Sequence, residues 1–359
     1  MTACSKTDGN LLQNPSPFIS PLNRLILYLL TVGFATPFLA NEVGVAAEVG
    51  VSLVQVLNYP NCIELTNATT RVVLGHWTGG RVLIYERQGK NVLYLSDKEA
   101  SWNGKSQNPT KEITAGRLDI GPELLSKRGP TIWSGHWEAE VTGPRAARLT
   151  SAVDPQSGFR ITRDFCLDEN TSRLTITQVV ENAGEEITKH GFWCRAFAQH
   201  GGVAIVPITP TSSRYPNFYT MGEDLLRVNQ KPADPMVRRE GNFIIVDGPP
   251  AFPKLGFDSA AGWIAYQTRQ DQLFVQRFPV YPDRVYAEVT GMTLSVWHPQ
   301  KERVPACEIE PIGPMETLKP GERASFSIQW WLLDHAFPAS GKVDPIAIAH
   351  LVETNCQKP

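Results

Sequence analysis

The sequence predicts an all-β protein, a large antiparallel two-sheet β-sandwich. Short runs rich in Val, Ile, Thr and Phe recur along the body, as strands do. The chain of 359 residues holds 28 Gly and 28 Pro, enough to turn between many strands. No apolar repeat of helical period outlasts about two turns before the tail. Residues 51–59 and 62–67 open the sheet, and 70–77 and 81–87 read as a hairpin around Thr78-Gly79-Gly80. Residues 91–95 form a short strand. Residues 96–130 are polar and studded with Gly and Pro, so they read as an irregular excursion of the binding-loop kind that contains Gly116-Arg117-Leu118-Asp119. Residues 131–141, 146–153, 159–167 and 173–182 follow as a meander, continued by 187–198 and 203–208. Residues 208–237 are Pro-rich and read as irregular. A second run of strands covers 242–246, 263–268, 273–278 and 286–297. No linker separates the two runs, which predicts one continuous sandwich over residues 48–335. Residues 336–359 form a tail in which 344–353 suit a short helix.

Net charge is −2 and charged residues make up 19% of the chain. No basic stripe marks a nucleic-acid partner. Residues 25–40 are an apolar run behind Arg24. The run is shorter than the roughly 20 residues of a spanning helix and suits the core of a secretory signal, with small residues for cleavage after Ala40, Ala46 or Ala47. Residues 1–47 are therefore expected to be a signal peptide or apolar leader. The protein is expected to be exported, secreted or periplasmic, with a membrane anchor as the alternative if the leader stays on. Six cysteines at long spacings, with no C-x-x-C, predict no zinc site and leave disulfide pairing open. The histidines lack metal-ligand spacing as well.

The segment with most chemical content is residues 306–333. Cys307, Glu308, Ile309 and Glu310 alternate apolar and acidic, so a strand puts both carboxylates on one face. Pro311 and Gly313-Pro314 are expected to end it. A turn at Lys319-Pro320-Gly321-Glu322 then leads into a second strand over 325–333. Two carboxylates at i, i+2 suit acid/base work or sugar hydroxyls, or simply the solvated face of an edge strand.

Four stretches in order, Gly79-Gly80-Arg81, Pro253-Lys254-Leu255-Gly256, Phe274-Val275-Gln276-Arg277-Phe278 and Glu308 to Pro314, make residues 50–335 resemble the galactose mutarotase-like (aldose 1-epimerase-like) superfamily, in an uncharacterised bacterial branch. The resemblance implies a sandwich with a sugar cleft and cofactor-independent chemistry. Mutarotation needs a base on the anomeric hydroxyl and an acid on the ring oxygen, which the superfamily supplies as a strand Glu and a His. Glu310 matches the glutamate, and Glu308 on the same face is placed to accept a sugar hydroxyl. His190, in Lys189-His190-Gly191-Phe192-Trp193-Cys194, matches the histidine, but Lys189 and Cys194 replace the two asparagines of the motif. Strand alternation puts His190 and Trp193 on opposite faces unless Gly191 marks a bulge, so a structural histidine is the competing reading. Trp193 and Arg195 share a face suited to lining a cleft. Arg81, Lys254 and Arg277 are either structural ion-pair partners or binders of an anionic sugar derivative. The damaged histidine motif favours carbohydrate binding over epimerase catalysis, and the paired glutamates favour the reverse. A structural envelope protein with a vestigial cleft is the third reading.

Overall fold

The computed structural model describes residues 48–102, 113–123, 125–126, 129–209, 218–222, 225–229 and 231–357. The leader expected over residues 1–47, with its apolar run, lies outside them. No described helix is long and apolar enough to cross a membrane. The described residues form two antiparallel sheets of twelve and ten strands.

In the larger sheet the order is Val51–Val56, Tyr59–Thr66, Thr70–Gly75, Arg81–Arg87, Gly116–Gly121, Thr188–Gln199, Ala306–Leu318, Leu294–Trp297, Lys254–Phe257, Phe218–Gly222 and Leu225–Asn229, with Lys90–Asn91 beside Arg81–Arg87. The smaller sheet runs Val237–Glu240, Phe243–Val246, Val203–Pro207, Trp263–Gln267, Gln272–Arg277, Arg323–Asp334, Leu174–Asn182, Phe159–Leu167, Ala146–Ser151 and Trp137–Gly143. Period-two alternation explains how they stack. Leu118, Phe192, Cys194, Cys307 and Ile309 point inward from the larger sheet. They meet Ile161, Phe165, Ile176, Phe274 and Ile328 from the smaller one in a single core. The tail closes a second core on the outer face of the smaller sheet. Asp344 caps the Pro345–Asn355 helix by accepting from the Ile346 and Ala347 amides. Ile348 and Val352 then pack with Trp263, Val275 and Trp331.

Five expectations about elements need correction. The strand expected over 131–141 begins only at Trp137, behind a helical turn at Pro130–Trp133. The excursion at 96–130 contains a strand, Gly116–Gly121, inserted between Arg81–Arg87 and Thr188–Gln199. The Pro-rich stretch at 208–237 contains the Phe218–Gly222 and Leu225–Asn229 hairpin, paired in register from Phe218–Asn229 to Gly222–Leu225. Of residues 286–297, only Leu294–Trp297 is a strand. Pro311 and Pro314 do not end their strand, which runs on to Leu318. Pro311 pairs with Leu294, the first residue of its neighbour, so little of the ladder beyond it asks for its missing amide hydrogen. Gly313 and Pro314 sit where the pairing with Thr188–Gln199 shifts, between Gly191–Met315 and Trp193–Ile312. A bulge there absorbs the second proline.

Candidate functional site

The outer face of the larger sheet carries charge where most sheet faces carry apolar or solvated residues. Arg117 and Asp119 come from Gly116–Gly121, Trp193 and Arg195 from Thr188–Gln199, Glu308 and Glu310 from Ala306–Leu318, Ser295 from Leu294–Trp297, and Lys254 from Lys254–Phe257. These strands are neighbours, so alternation in each places the side chains in one array.

The array is a chain of ion pairs. Arg117 and Arg195 are directly opposite across the strand pair, and Asp119 bridges them. Its Oδ1 accepts from Arg117 Nη2 at 2.6 Å and its Oδ2 from Arg195 Nη1 at 2.6 Å. Arg195 also grips Glu308 with two donors, Nε to Oε1 at 2.5 Å and Nη2 to Oε2 at 2.8 Å. Glu310 Oε2 accepts from Lys254 Nζ at 2.5 Å, Trp193 Nε1 at 2.6 Å and Ser295 Oγ at 2.5 Å. Its Oε1 is buried without a hydrogen-bond partner. The Trp193 ring lies between the two cations, 4.3 Å from the Arg195 guanidinium and 5.0 Å from Lys254 Nζ. Lys254 reaches Glu123 at 3.4 Å as well. Gly256 follows on the same strand and leaves room for the Tyr219 ring, which a Cβ there would meet at 1.7 Å.

The two carboxylates differ in their protonation. Burial pushes the Glu308 carboxyl up to about 7, with the neighbouring Glu310 charge adding to the rise and Arg195 opposing it. Burial also works against ionised Glu310, but Lys254 and Arg195 outweigh it and hold that carboxyl below its ordinary value. Burial disfavours the Lys254 ammonium too, and Glu310 reverses that and raises its pKa.

A cleft of about 1030 Å³ opens over this array. Arg195, Lys254 and Glu308 form part of its floor, with Phe197, Phe252 and Trp297 among its walls. Glu310 does not line the cleft and is joined to it through its bond with Lys254.

Five of the residues singled out from sequence therefore meet in one place: Glu308, Glu310, Trp193, Arg195 and Lys254. Three do not join them. His190 is on the opposite face of the sheet, because the register shift beside Gly191 puts its extra residue in Ala306–Leu318 and leaves the alternation of Thr188–Gln199 unbroken. It packs between Phe159 and Phe192 at ring distances of 5.0 and 5.6 Å, in the inter-sheet core. Both its nitrogens are buried without partners, and burial lowers its pKa to about 4. Arg277 belongs to the other sheet and points outward beneath the terminal helix, where it contacts Glu353 at 3.1 Å and the Val352 carbonyl at 3.3 Å. Arg81 is on the larger sheet but buried in a two-donor pair with Glu99, at 3.0 and 2.6 Å. Asp119, Arg117, Ser295 and Glu123 were not anticipated. The signal for the first two was the alternation of Arg117-Leu118-Asp119-Ile120 between two glycines.

No protein-family model and no curated protein sequence matches the chain. Solved structures do. A galactose mutarotase-like protein from Lactobacillus casei aligns with a TM-score of 0.53 at 11% identity, over 76% of this chain and 100% of that one. A putative aldose 1-epimerase from Escherichia coli K12 gives 0.51 at 12% identity, over 75% and 98%. A galactose mutarotase-like protein from Clostridium acetobutylicum gives 0.53 at 10% identity, over 80% and 99%. The chain has the galactose mutarotase-like fold.

Proposed function

We propose that this galactose mutarotase-like sandwich binds a carbohydrate in the cleft over its ion-pair array and leaves the bound sugar chemically unchanged. One observation carries the reading. Arg195, Lys254 and Glu308 meet the rings of Phe197, Phe252 and Trp297 in a single concavity. Aromatic faces pack against the C–H surface of a pyranose, and fixed charged groups bond its hydroxyls. The charges are already paired, so little side-chain ordering remains to be done on binding. Epimerisation instead needs a base and an acid across one sugar ring, and the sheet stands between Glu310 and His190.

A second reading, an aldose 1-epimerase-type isomerase, is favoured by Glu308 being raised to about 7 beside a depressed Glu310. Neighbouring carboxyls pushed apart in this way are suited to acid and base roles. In that reading Glu310 is the general base. A thermal-shift screen of neutral sugars, uronic acids and sugar phosphates tests binding, since a ligand at about 100 times its Kd adds roughly 2.7 kcal/mol. No shift with any of them would leave only a structural role. NMR of a bound sugar then separates the first two readings. Anomer exchange at the spontaneous rate is expected. Exchange that the protein accelerates, and that Glu310→Gln slows on the order of 10²-fold, would establish the isomerase instead. We further propose export from the cytoplasm, on the apolar run at 25–40. The native N-terminus is expected near Asn41 or Glu48, and an intact Met1 or Thr2 would count against it.

A further inference from the structure

We infer that the ligand is a chain of acidic sugars that extends from this cleft into a second cavity, rather than a single sugar. The inference rests on the carbohydrate-binding reading above. The second cavity, about 620 Å³, lies at the end of the Gly116–Gly121 strand, against Ile120, Pro122, Gln156, Phe159, Lys189 and Met315. Trp133 lines both cavities. Its indole is fixed from behind by the Arg117 guanidinium, 3.2 Å from the ring centroid, and Arg117 is itself held by Asp119. A rigid aromatic shared by two cavities is suited to stacking a sugar in the middle of a chain. The larger cavity alone is at the upper end of the roughly 300–1,000 Å³ that holds a drug-sized ligand. One pyranose leaves most of it to water.

The charges in the two cavities indicate the sign of the chain. The carboxylates that line them are all in ion pairs, though they share cations: Asp119 with Arg117 and Arg195, Glu308 with the same Arg195, and Glu123 at 3.4 Å from Lys254, which also serves Glu310. Arg303, in the larger cavity, lies 5.4 Å over the Trp297 ring, and Lys189 is exposed on the rim of the smaller. Among the described residues neither has an ion-pair partner. Unmatched charge at both ends of the path is positive, which suits carboxylates borne on the sugars.

The test is a titration of the full chain with galacturonate, mannuronate and guluronate oligomers of one to six units, and with malto-oligosaccharides of the same lengths. Affinity for at least one acidic series is expected to rise with length beyond two units, by about tenfold or more in total, and the neutral series is expected to bind more weakly. Trp133→Ala is expected to lower the hexamer-to-dimer affinity ratio by about tenfold. Should that variant fail to fold, Gln156→Trp narrows the second cavity from an exposed turn and should lower the same ratio. A monomer that binds as tightly as its hexamer would overturn the chain and leave carbohydrate binding intact. Equal affinity for neutral and acidic series would overturn the acidic ligand. Binding of no saccharide at all would overturn both this inference and the reading beneath it.

Discussion

At the scale of single residues, two titrating groups on opposite faces of one sheet make opposite predictions. His190 is neutral in its apolar pocket, with its pKa lowered from 6.5 to about 4 by burial. The unfolded chain takes up a proton below 6.5 and the folded chain does not, so His190 costs stability as pH falls from 6.5 towards 4. The amount is on the order of 3 kcal/mol. His190→Phe is expected to fit between Phe159 and Phe192 and to flatten the acid limb of a urea-denaturation series, and an unchanged limb would count against the buried neutral imidazole. Glu308 runs the other way. Its pKa is raised from 4.5 to about 7, so between those values the folded state holds a proton that the unfolded state has lost. Stability should fall as pH rises through that window, by up to about 3 kcal/mol. Glu308→Gln should remove this dependence, and a sugar that accepts a hydrogen bond from protonated Glu308 should bind more weakly above pH 7. The identity of Glu308 and Glu310 as face-sharing carboxylates was legible from spacing alone. The place of His190 was legible only as a choice, because alternation gave the correct face and the family motif gave the other.

At the scale of elements, legibility followed the number of alternating residues. Phe159–Leu167 alternates buried and partly buried positions along nearly its whole length, and its bounds could be read directly from the sequence. Gly116–Gly121 alternates charged with apolar residues but is buried on both faces, and it has only six residues, two charges on one face and glycine at each end. Those are loop signals unless the partners are known. What makes it a strand is long-range. Asp119 is needed between Arg117 and Arg195, and Gly116 is needed under Trp330. A Cβ at Gly116 would lie 2.4 Å from the Trp330 ring and 3.2 Å from Val82 Cβ. Gly116→Val should therefore push the central tryptophan out of place and cost about 1–3 kcal/mol or more, read as a lowered midpoint in chemical denaturation. The Lys254–Phe257 strand was hidden for a related reason. Its four residues carry a single apolar alternation, and its motif was legible as a resemblance rather than as a strand. Lys254 and Glu310 join that strand to the far one through a buried pair. Lys254→Met alone should cost about 3–5 kcal/mol by stranding the Glu310 charge. Combined with Glu310→Gln it should cost much less, and additive losses would mean that the two groups do not depend on each other.

At the scale of the whole molecule, the sandwich depends on how its two faces are tied, and this was not legible in the sequence. Composition and turn spacing predict two sheets but not which polar residues sit between them. Besides His190, and Gln178, which donates to Cys194 Sγ at 2.9 Å, a third is Arg163, on Phe159–Leu167 of the smaller sheet and 1% exposed. Its Nη1 crosses the core to donate to the carbonyls of Gly80, just before Arg81–Arg87, at 2.7 Å and of Gly116, the first residue of Gly116–Gly121, at 3.4 Å. Its Nε is buried without a partner, and burial lowers its pKa to about 10. An arginine buried with no carboxylate contact among the described residues is expensive, yet its two carbonyl acceptors are the residue just before Arg81–Arg87 and the first residue of Gly116–Gly121, the strands that carry Arg81 and Arg117. It therefore fixes the position of those strands, and through Asp119 the position of Arg195, from behind the cleft. Arg163→Met keeps much of the volume, removes the buried charge and leaves two carbonyls without this donor. These effects oppose each other, so its net change in stability should be small, within about 1–2 kcal/mol. Arg163→Ala should cost clearly more, because it also opens a cavity between the sheets. If the arginine positions the site as well as the core, Arg163→Met should weaken sugar binding even though the fold survives. Full affinity in a stable Arg163→Met protein would assign the residue to packing alone.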